Sequence, residues 1–215
     1  IVLKSTLITL MKHDREKIFT KIPTRTEGYG FNEPAVEMAK EVGATVIITA
    51  DIGVRDHHAV SLAKAAGIDV IICDHHLPPG ESVPQDAYAV LCPPQDGCTY
   101  PNPSLAACGV CFKLAQALLG HSIVAREKHE QVLRGLMKVV CIGTVGDVVS
   151  LATQENRAIV SLGIEALIAD RVKNKPGMKA LLNVAGVTDS LTAQDVGFKL
   201  APRINAAGRM ADPAL

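Results

Sequence analysis

The chain contains no tryptophan and only three tyrosines and four phenylalanines among its 215 residues, so aromatic platforms for stacking nucleic-acid bases are scarce. It also carries no net charge, with 22 basic residues against 22 acidic ones. Any contact with a polyanion therefore has to come from a local patch and not from the field of the whole molecule. No apolar run approaches the roughly 18 residues that read as a membrane span, and no basic segment followed by an apolar one opens the chain. A soluble, cytoplasmic protein without membrane contact is expected. Internal repeats and low-complexity tracts are absent as well. What is present is a sizeable apolar fraction, 48% against 20% charged residues, which excludes intrinsic disorder and suffices for one core, or for one domain with an appended element.

Six cysteines remain to be placed. Cys108-x-x-Cys111 with Cys92 and Cys98 has the outline of a zinc site, but Cys108 and Cys111 are interleaved with Ala106, Ala107, Val110 and Phe112 in a helical pattern. Cys73 and Cys141 lie in apolar runs. Small core residues are the better reading, and reduced thiols fit an intracellular compartment.

The first half alternates helix and strand. A short helix over Ser5 to Met11 precedes an expected strand from Lys17 to Ile22, a turn-rich stretch from Pro23 to Asn32, and a helix from Glu33 to Glu41 closed by Gly43. Two β-branched runs follow, Thr45 to Ala50 and Val70 to Cys73, and between them Asp56 to Gly67 has the apolar spacing and terminal glycine of a crossover helix. A fourth strand is expected at Tyr88 to Leu91, before a Pro- and Gly-rich loop from Pro93 to Pro103. The fold class is thus α/β, a mostly parallel sheet flanked by helices. From Leu105 onward the pattern is helical, over Leu105 to Leu119, Glu130 to Thr144 and Glu155 to Asp170, with a weaker helix from Leu191 to Phe198. The expected organisation is an α/β domain over 1–160 and a helical connecting segment over 161–215.

Chemistry gathers where the two β-branched runs end. The first stops at Asp51 and the second at Asp74-His75-His76, followed by Pro78-Pro79-Gly80, and open parallel sheets build their sites beyond the carboxyl ends of their strands. Carboxylates with one or two imidazoles suit a divalent ion, Mn²⁺ or Mg²⁺, whereas thiolates would point to zinc. Asp147, wedged between apolar residues and glycines, is a further candidate acid, since such a carboxylate is costly to bury without a cation or a hydrogen bond. The tripeptide recurs at Asp56-His57-His58, but there it opens a helix, where Asp56 reads as a first-turn residue and the histidines as partly solvated.

Three stretches, Ile72 to Pro79 around Asp74-His75-His76, Thr49 to Val54 around Asp51 and Gly143 to Leu151 around Asp147, resemble the DHH phosphoesterase superfamily. Ile22 to Gly30, Leu105 to Leu114 and Pro202 to Met210 look like its RecJ-type branch, single-strand-specific 5′-to-3′ DNA exonucleases. The resemblance implies that Asp51 bridges two metal ions, that His75 and Asp147 complete the shell of one, and that His76 lies beside the scissile phosphate as charge stabiliser or proton donor. It implies a further acid of the centre at Asp74. The family's opening Asp-x-Asp-Gly stretch is absent from Ile1 to Lys4, and the chain, which begins with Ile, ends soon after Arg209. It is therefore expected to be the central part of a longer protein, lacking a C-terminal substrate-binding domain and with one metal position incomplete.

For the single strand, Arg203, Asn205 and Arg209 are the leading candidates, because guanidinium forks match phosphate oxygens. Arg25 and Tyr29 in the early loop are further ones, Tyr29 as a stacking ring. Arg171, Lys173, Lys175 and Lys179 around Pro176-Gly177 read as a solvated basic turn. The expected activity is hydrolysis of single-stranded DNA to mononucleotides in repair and recombination, with a helicase or single-strand-binding protein as a candidate partner. Two alternatives stay open: a phosphoesterase of short oligonucleotides or other small phosphates, and a non-catalytic single-strand binder.

Overall fold

The structure, a computed structural model, describes residues 1–23, 27–80, 82–122, 124–172, 176–187 and 190–210, and for residues 170–172 and 207–210 the backbone alone. In chain order the elements are α1 (Val2–Thr9), α2 (Glu33–Glu41), β1 (Val46–Ala50), α3 (His57–Ala65), β2 (Asp69–Cys73), β3 (Ala89–Leu91), α4 (Ala107–Leu118), α5 (Arg126–Gly146), α6 (Gln154–Val172), α7 (Pro176–Val184), α8 (Ala193–Asp195) and α9 (Ala201–Met210). They fall into two compact units, one formed by 14–111, the other by 1–13 with 112–215.

The 14–111 unit is the α/β part. Its sheet has the order β1-β2-β3 and is parallel throughout, with Val46 opposite Asp69, Ala50 opposite Cys73 and Cys73 opposite Leu91. The β2 run Val70-Ile71-Ile72-Cys73 is close to continuously apolar because a central strand of a parallel sheet is covered on both faces; Val70, Ile72 and Cys73 are buried. Against it pack Val36 and Ala39 of α2 and Ala59, Val60 and Ala63 of α3. Helix α2 starts where its sequence says it should: the Asn32 side chain accepts from the Ala35 amide at 3.3 Å, a proline stands in the first turn, and Gly43 leaves the helix at φ +65°.

One expected strand does not form. Over Lys17 to Ile22 the chain makes a 3₁₀ turn at Arg15–Lys17 and then runs on without a ladder partner in the described sheet. Phe19 and Ile22 are exposed. The β-branched and aromatic residues Ile18, Phe19, Thr20 and Ile22 imitate a strand, yet a strand exists only where a neighbour offers an open hydrogen-bonding edge. The segment expected as a fourth strand is accordingly the third.

The other unit is helical. Helices α5 and α6 run against each other so closely that a Cβ on Gly163 would clash with Cys141 Cβ and stand 2.9 Å from both Cys141 Sγ and the Met137 carbonyl oxygen. Gly163→Ala is therefore expected to push the pair apart and lower stability by about 1–3 kcal/mol, a fall of roughly 2–12 °C in Tm for a chain of this size, read by thermal unfolding. Pro176-Gly177, where a turn is expected, opens α7 instead. Proline pre-set at φ near −65° serves a first helical turn as well as a β-turn, and Leu181, Leu182 and Ala185 downstream supply the apolar face that decides for helix. Lys179 is exposed on α7, while Lys173, Lys175 and the side chain of Arg171 lie outside the described residues.

The end of the unit is helical too. A capping box between Thr192 and Asp195 starts α8, and the chain passes through a π-helical turn at Val196–Leu200 into α9. Pro202 brings no N–H to that ladder, and a widened turn just before it is the usual accommodation of such a break.

Candidate metal centre

The site is built by the ends of β1 and β2. The ladder continues one residue past the strands, with the Asp51 amide donating to the Cys73 carbonyl at 3.0 Å. Asp51 then turns into the left-handed region at φ +69°, a conformation rare for residues with a Cβ but several-fold more frequent for aspartate and asparagine. Two residues on, Gly53 sits at φ +118°, and a Cβ there would stand 2.7 Å from Thr49 Oγ1 and 3.1 Å from Ile72 Cγ2. Only glycine fits. This tight turn carries the Val54 amide onto the Asp74 carboxylate at 3.0 Å.

Asp74 is 1% exposed. Its Oδ2 accepts from Val54, and its Oδ1 accepts from the His75 amide at 2.8 Å and the His76 amide at 3.2 Å and lies 2.7 Å from His76 Nδ1. Burial by itself pushes this carboxyl up, but the His76 ring and the amides of Val54, His75 and His76 together hold it below the usual carboxylate range. A carboxylate on Nδ1 fixes that nitrogen as the proton-bearing one and leaves Nε2 of His76 for chemistry. The backbone of His76 is tied too: burial pushes the Cys92 thiol up to about 12, so it stays an S–H, and it donates to the His76 carbonyl at 3.3 Å.

His75 turns to the neighbouring strand, its Nε2 3.2 Å from Asp51 Oδ1. The two histidine rings meet edge to face with centroids 4.6 Å apart. Among the described residues, Asp51, His75 and His76 form a group whose donor atoms all lie within 4.8 Å of one another. The spacing suits a cation: donors about 2.1 Å from one octahedral ion, at right angles, stand about 3 Å apart, close to the 3.2 Å found between Asp51 and His75. The residues fit a hard to borderline divalent ion, and no cysteine joins them.

A cleft of about 110 Å³ opens beside this group, lined by Tyr29, Gly30, Asp51, Arg55, Asp56 and His76, among others. The Tyr29 hydroxyl donates to the Asp51 carbonyl at 3.3 Å while the residue stays 82% exposed. Asp56 does not cap α3 with its side chain; it accepts from the Phe31 amide at 2.7 Å, and a Cβ on Gly30 would stand 2.8 Å from its Oδ1. The second Asp-His-His is thus a tie between the early loop and α3, with His57 and His58 outside the metal-competent group. Arg55, which sequence reasoning passed over, donates from Nε and Nη2 to the Leu77 carbonyl at 3.1 and 3.0 Å. Cys92 enters the sequence reading only through the zinc outline that is set aside there. No local sequence signal marks either residue, because their partners are the backbone carbonyls of Leu77 and His76.

Asp147 lies in the helical unit, exposed at the C-cap of α5 with its amide donating to the Gly143 carbonyl at 2.9 Å. Val148 follows at φ +58°, 87% exposed, an outlier for a β-branched residue and the kind of strain that gathers at functional turns. Arg203 and Asn205 are exposed on α9, with Arg203 Nη1 donating to the Lys199 carbonyl at 2.7 Å. They occupy a helix, and residues two apart on a helix do not share a face. Arg25 and the Arg209 side chain lie outside the described residues.

The family model described as DHH family, N-terminal domain, matches residues 2–144. The chain belongs to the DHH family. Among curated DHH relatives it is 43% identical over 218 residues to the single-stranded-DNA-specific exonuclease RecJ of Bacillus subtilis, covering 98% of this chain and 26% of that protein. It is 41% identical over 198 residues to its counterpart of the same name in Escherichia coli K12, covering 89% and 33%. The chain thus spans about a quarter to a third of the length of these relatives. A crystal structure of exonuclease RecJ bound to manganese superposes with a TM-score of 0.74 at 28% identity, covering 99% of this chain and 51% of that one. RecJ of Thermus thermophilus in complex with Mn²⁺ gives 0.64 at 27% identity, covering 84% and 25%. The small parallel sheet with its flanking helices is the DHH fold of these neighbours.

Proposed function

We propose that this chain is the metal-binding part of a divalent-metal-dependent exonuclease that hydrolyses single-stranded DNA from its 5′ end to mononucleotides, in repair and recombination. The observation that carries the reading is the convergence of Asp51, His75 and His76 at the ends of two adjacent parallel strands. Asp51 and His75 would hold the ion, and the family resemblance assigns Asp147 to the same shell. Imidazole beside carboxylate favours Mn²⁺ over Mg²⁺. A bound ion of this class supplies charge neutralisation and a water acidic enough to act near neutral pH.

The protein's own residues do the rest. Asp74 is a positioning acid: it keeps the Nδ1 proton of His76 in place and leaves Nε2 to hold or donate a proton at the phosphate. Tyr29, anchored through its hydroxyl and exposed on its ring, offers a face to a base beside the cleft. Arg203, Asn205, Arg209 and Arg25 are assigned to the strand's backbone. We place the protein in the cytoplasm, with the strand delivered by a helicase or a single-strand-binding protein; among the described residues no helix is long and apolar enough to cross a membrane.

The test is Mn²⁺-dependent release of mononucleotides from 5′-phosphorylated single-stranded DNA by a protein extended to the full span of the relatives. His76→Ala is expected to lower the rate by about 10²–10⁴-fold, the range for a general acid–base group, with Mn²⁺ binding retained. A strand bound but never cut by the unsubstituted protein would leave a non-catalytic binder, and cleavage of dinucleotides alone a small-substrate phosphoesterase.

A further inference from the structure

Beside the metal-competent group stands a cation that no carboxylate among the described residues neutralises. Arg55 follows the Gly53-Val54 turn, is exposed, and lines the same cleft as Asp51, Asp56, Asp74 and His76. Those acids are occupied elsewhere: Asp56 with the Phe31 amide, Asp74 with Val54, His75 and His76, and Asp51 with His75. Among the described residues no carboxylate lies within ion-pair distance of Arg55. Its guanidinium is instead clamped to the Leu77 carbonyl, directly after Asp74-His75-His76, through Nε and Nη2 at 3.1 and 3.0 Å.

That arrangement has two consequences. A guanidinium carries five N–H donors, and the clamp uses two, so three remain for an anion with the full positive charge. The clamp also holds a long side chain in one place, which removes much of the rotamer entropy that an arginine otherwise loses when it binds. A guanidinium edge held open over a cleft with a metal centre matches the geometry of a phosphodiester.

We propose that Arg55 is a substrate-binding residue that grips a non-scissile backbone phosphate of the single strand beside the metal centre. This rests on the nuclease reading above. The alternative role, holding the Leu77 loop and nothing more, makes a different prediction for lysine, which keeps the charge but loses the two-pronged clamp.

The experiment measures binding of a single-stranded oligodeoxynucleotide by fluorescence anisotropy across a salt series in Mn²⁺, in the extended protein with a His76→Ala background that leaves the strand uncut. Mn²⁺ affinity is measured in parallel. Arg55→Ala is expected to weaken binding about tenfold, as for a charge-assisted hydrogen bond lost, and to flatten the plot of log K against log salt by about 0.7, the share of one phosphate on a single strand. Arg55→Lys is expected to keep the slope. Mn²⁺ affinity should stay within about twofold in both. Equal losses in Ala and Lys variants with an unchanged slope, or no loss in either, would overturn the proposal and leave the nuclease reading standing. Failure of the Arg55-containing protein to bind the strand overturns both.

Discussion

Asp74→Ala is expected to be the most damaging single change in the α/β unit, lowering stability by about 3–5 kcal/mol in urea unfolding. The carboxylate is 1% exposed and takes three amides and one imidazole nitrogen. Removing it strands donors at the one place where two strand ends and a glycine turn meet, each left without an acceptor at a cost of about 1–3 kcal/mol. Against a total of roughly 5–15 kcal/mol for a domain, that leaves little. Asp74→Asn separates shape from charge. Its oxygen can still serve His75 and His76, but its NH₂ then faces the Val54 N–H, so a smaller loss of about 1–2 kcal/mol is expected. A loss in Asn as large as in Ala would show that charge, and not the Val54 contact, dominates.

The same residue sets a pH dependence. The folded-state pKa of Asp74 lies below its ordinary value of 3.8, so its contribution to stability is fully present above that value and is lost as pH falls through the depressed folded-state value. Measured without added metal, acid unfolding of Asp74→Asn should lack this component. An identical pH profile in the variant would count against the hydrogen-bond network described.

How much of this was legible in the residues depends on how local each cause is. Strands β1 and β2, the crossover helix α3 and the placing of Asp51, His75 and His76 at one edge follow from short β-branched runs and their end points, which are local signals. The division of labour within Asp74-His75-His76 is not local. What makes Asp74 an anchor is the amide of Val54, twenty residues upstream, delivered by a turn that only Gly53 allows. Asp56 shows the converse, the same tripeptide becoming a tie because the Phe31 amide happens to reach it. Lys17 to Ile22 has a strand's composition without a strand's neighbour, and Pro176 fits a helix start as well as it fits a turn. Arg203 and Asn205 stand among small residues, and those same residues build α9, because alanine is the strongest helix former.

Asp51→Asn is expected to weaken Mn²⁺ binding by more than about 100-fold, beyond the 10–100-fold range found for residues that only support a ligand, with stability almost unchanged. Asparagine is the informative replacement because of the backbone. At φ +69° asparagine is as comfortable as aspartate, whereas alanine adds about 1–2 kcal/mol of left-handed strain and would mix a folding defect into the metal measurement. The Asp51 side chain is 56% exposed, so its loss removes little burial, and the ladder bond from its amide to Cys73 is untouched. An Mn²⁺ titration followed by electron paramagnetic resonance, beside a thermal melt, reads the two quantities separately. Affinity lost with the melt intact makes the Asp51 carboxylate a ligand. Affinity retained would mean that the 3.2 Å approach of Asp51 to His75 is an ordinary ion pair at a strand end, and the metal centre would then have to be sought without its first acid.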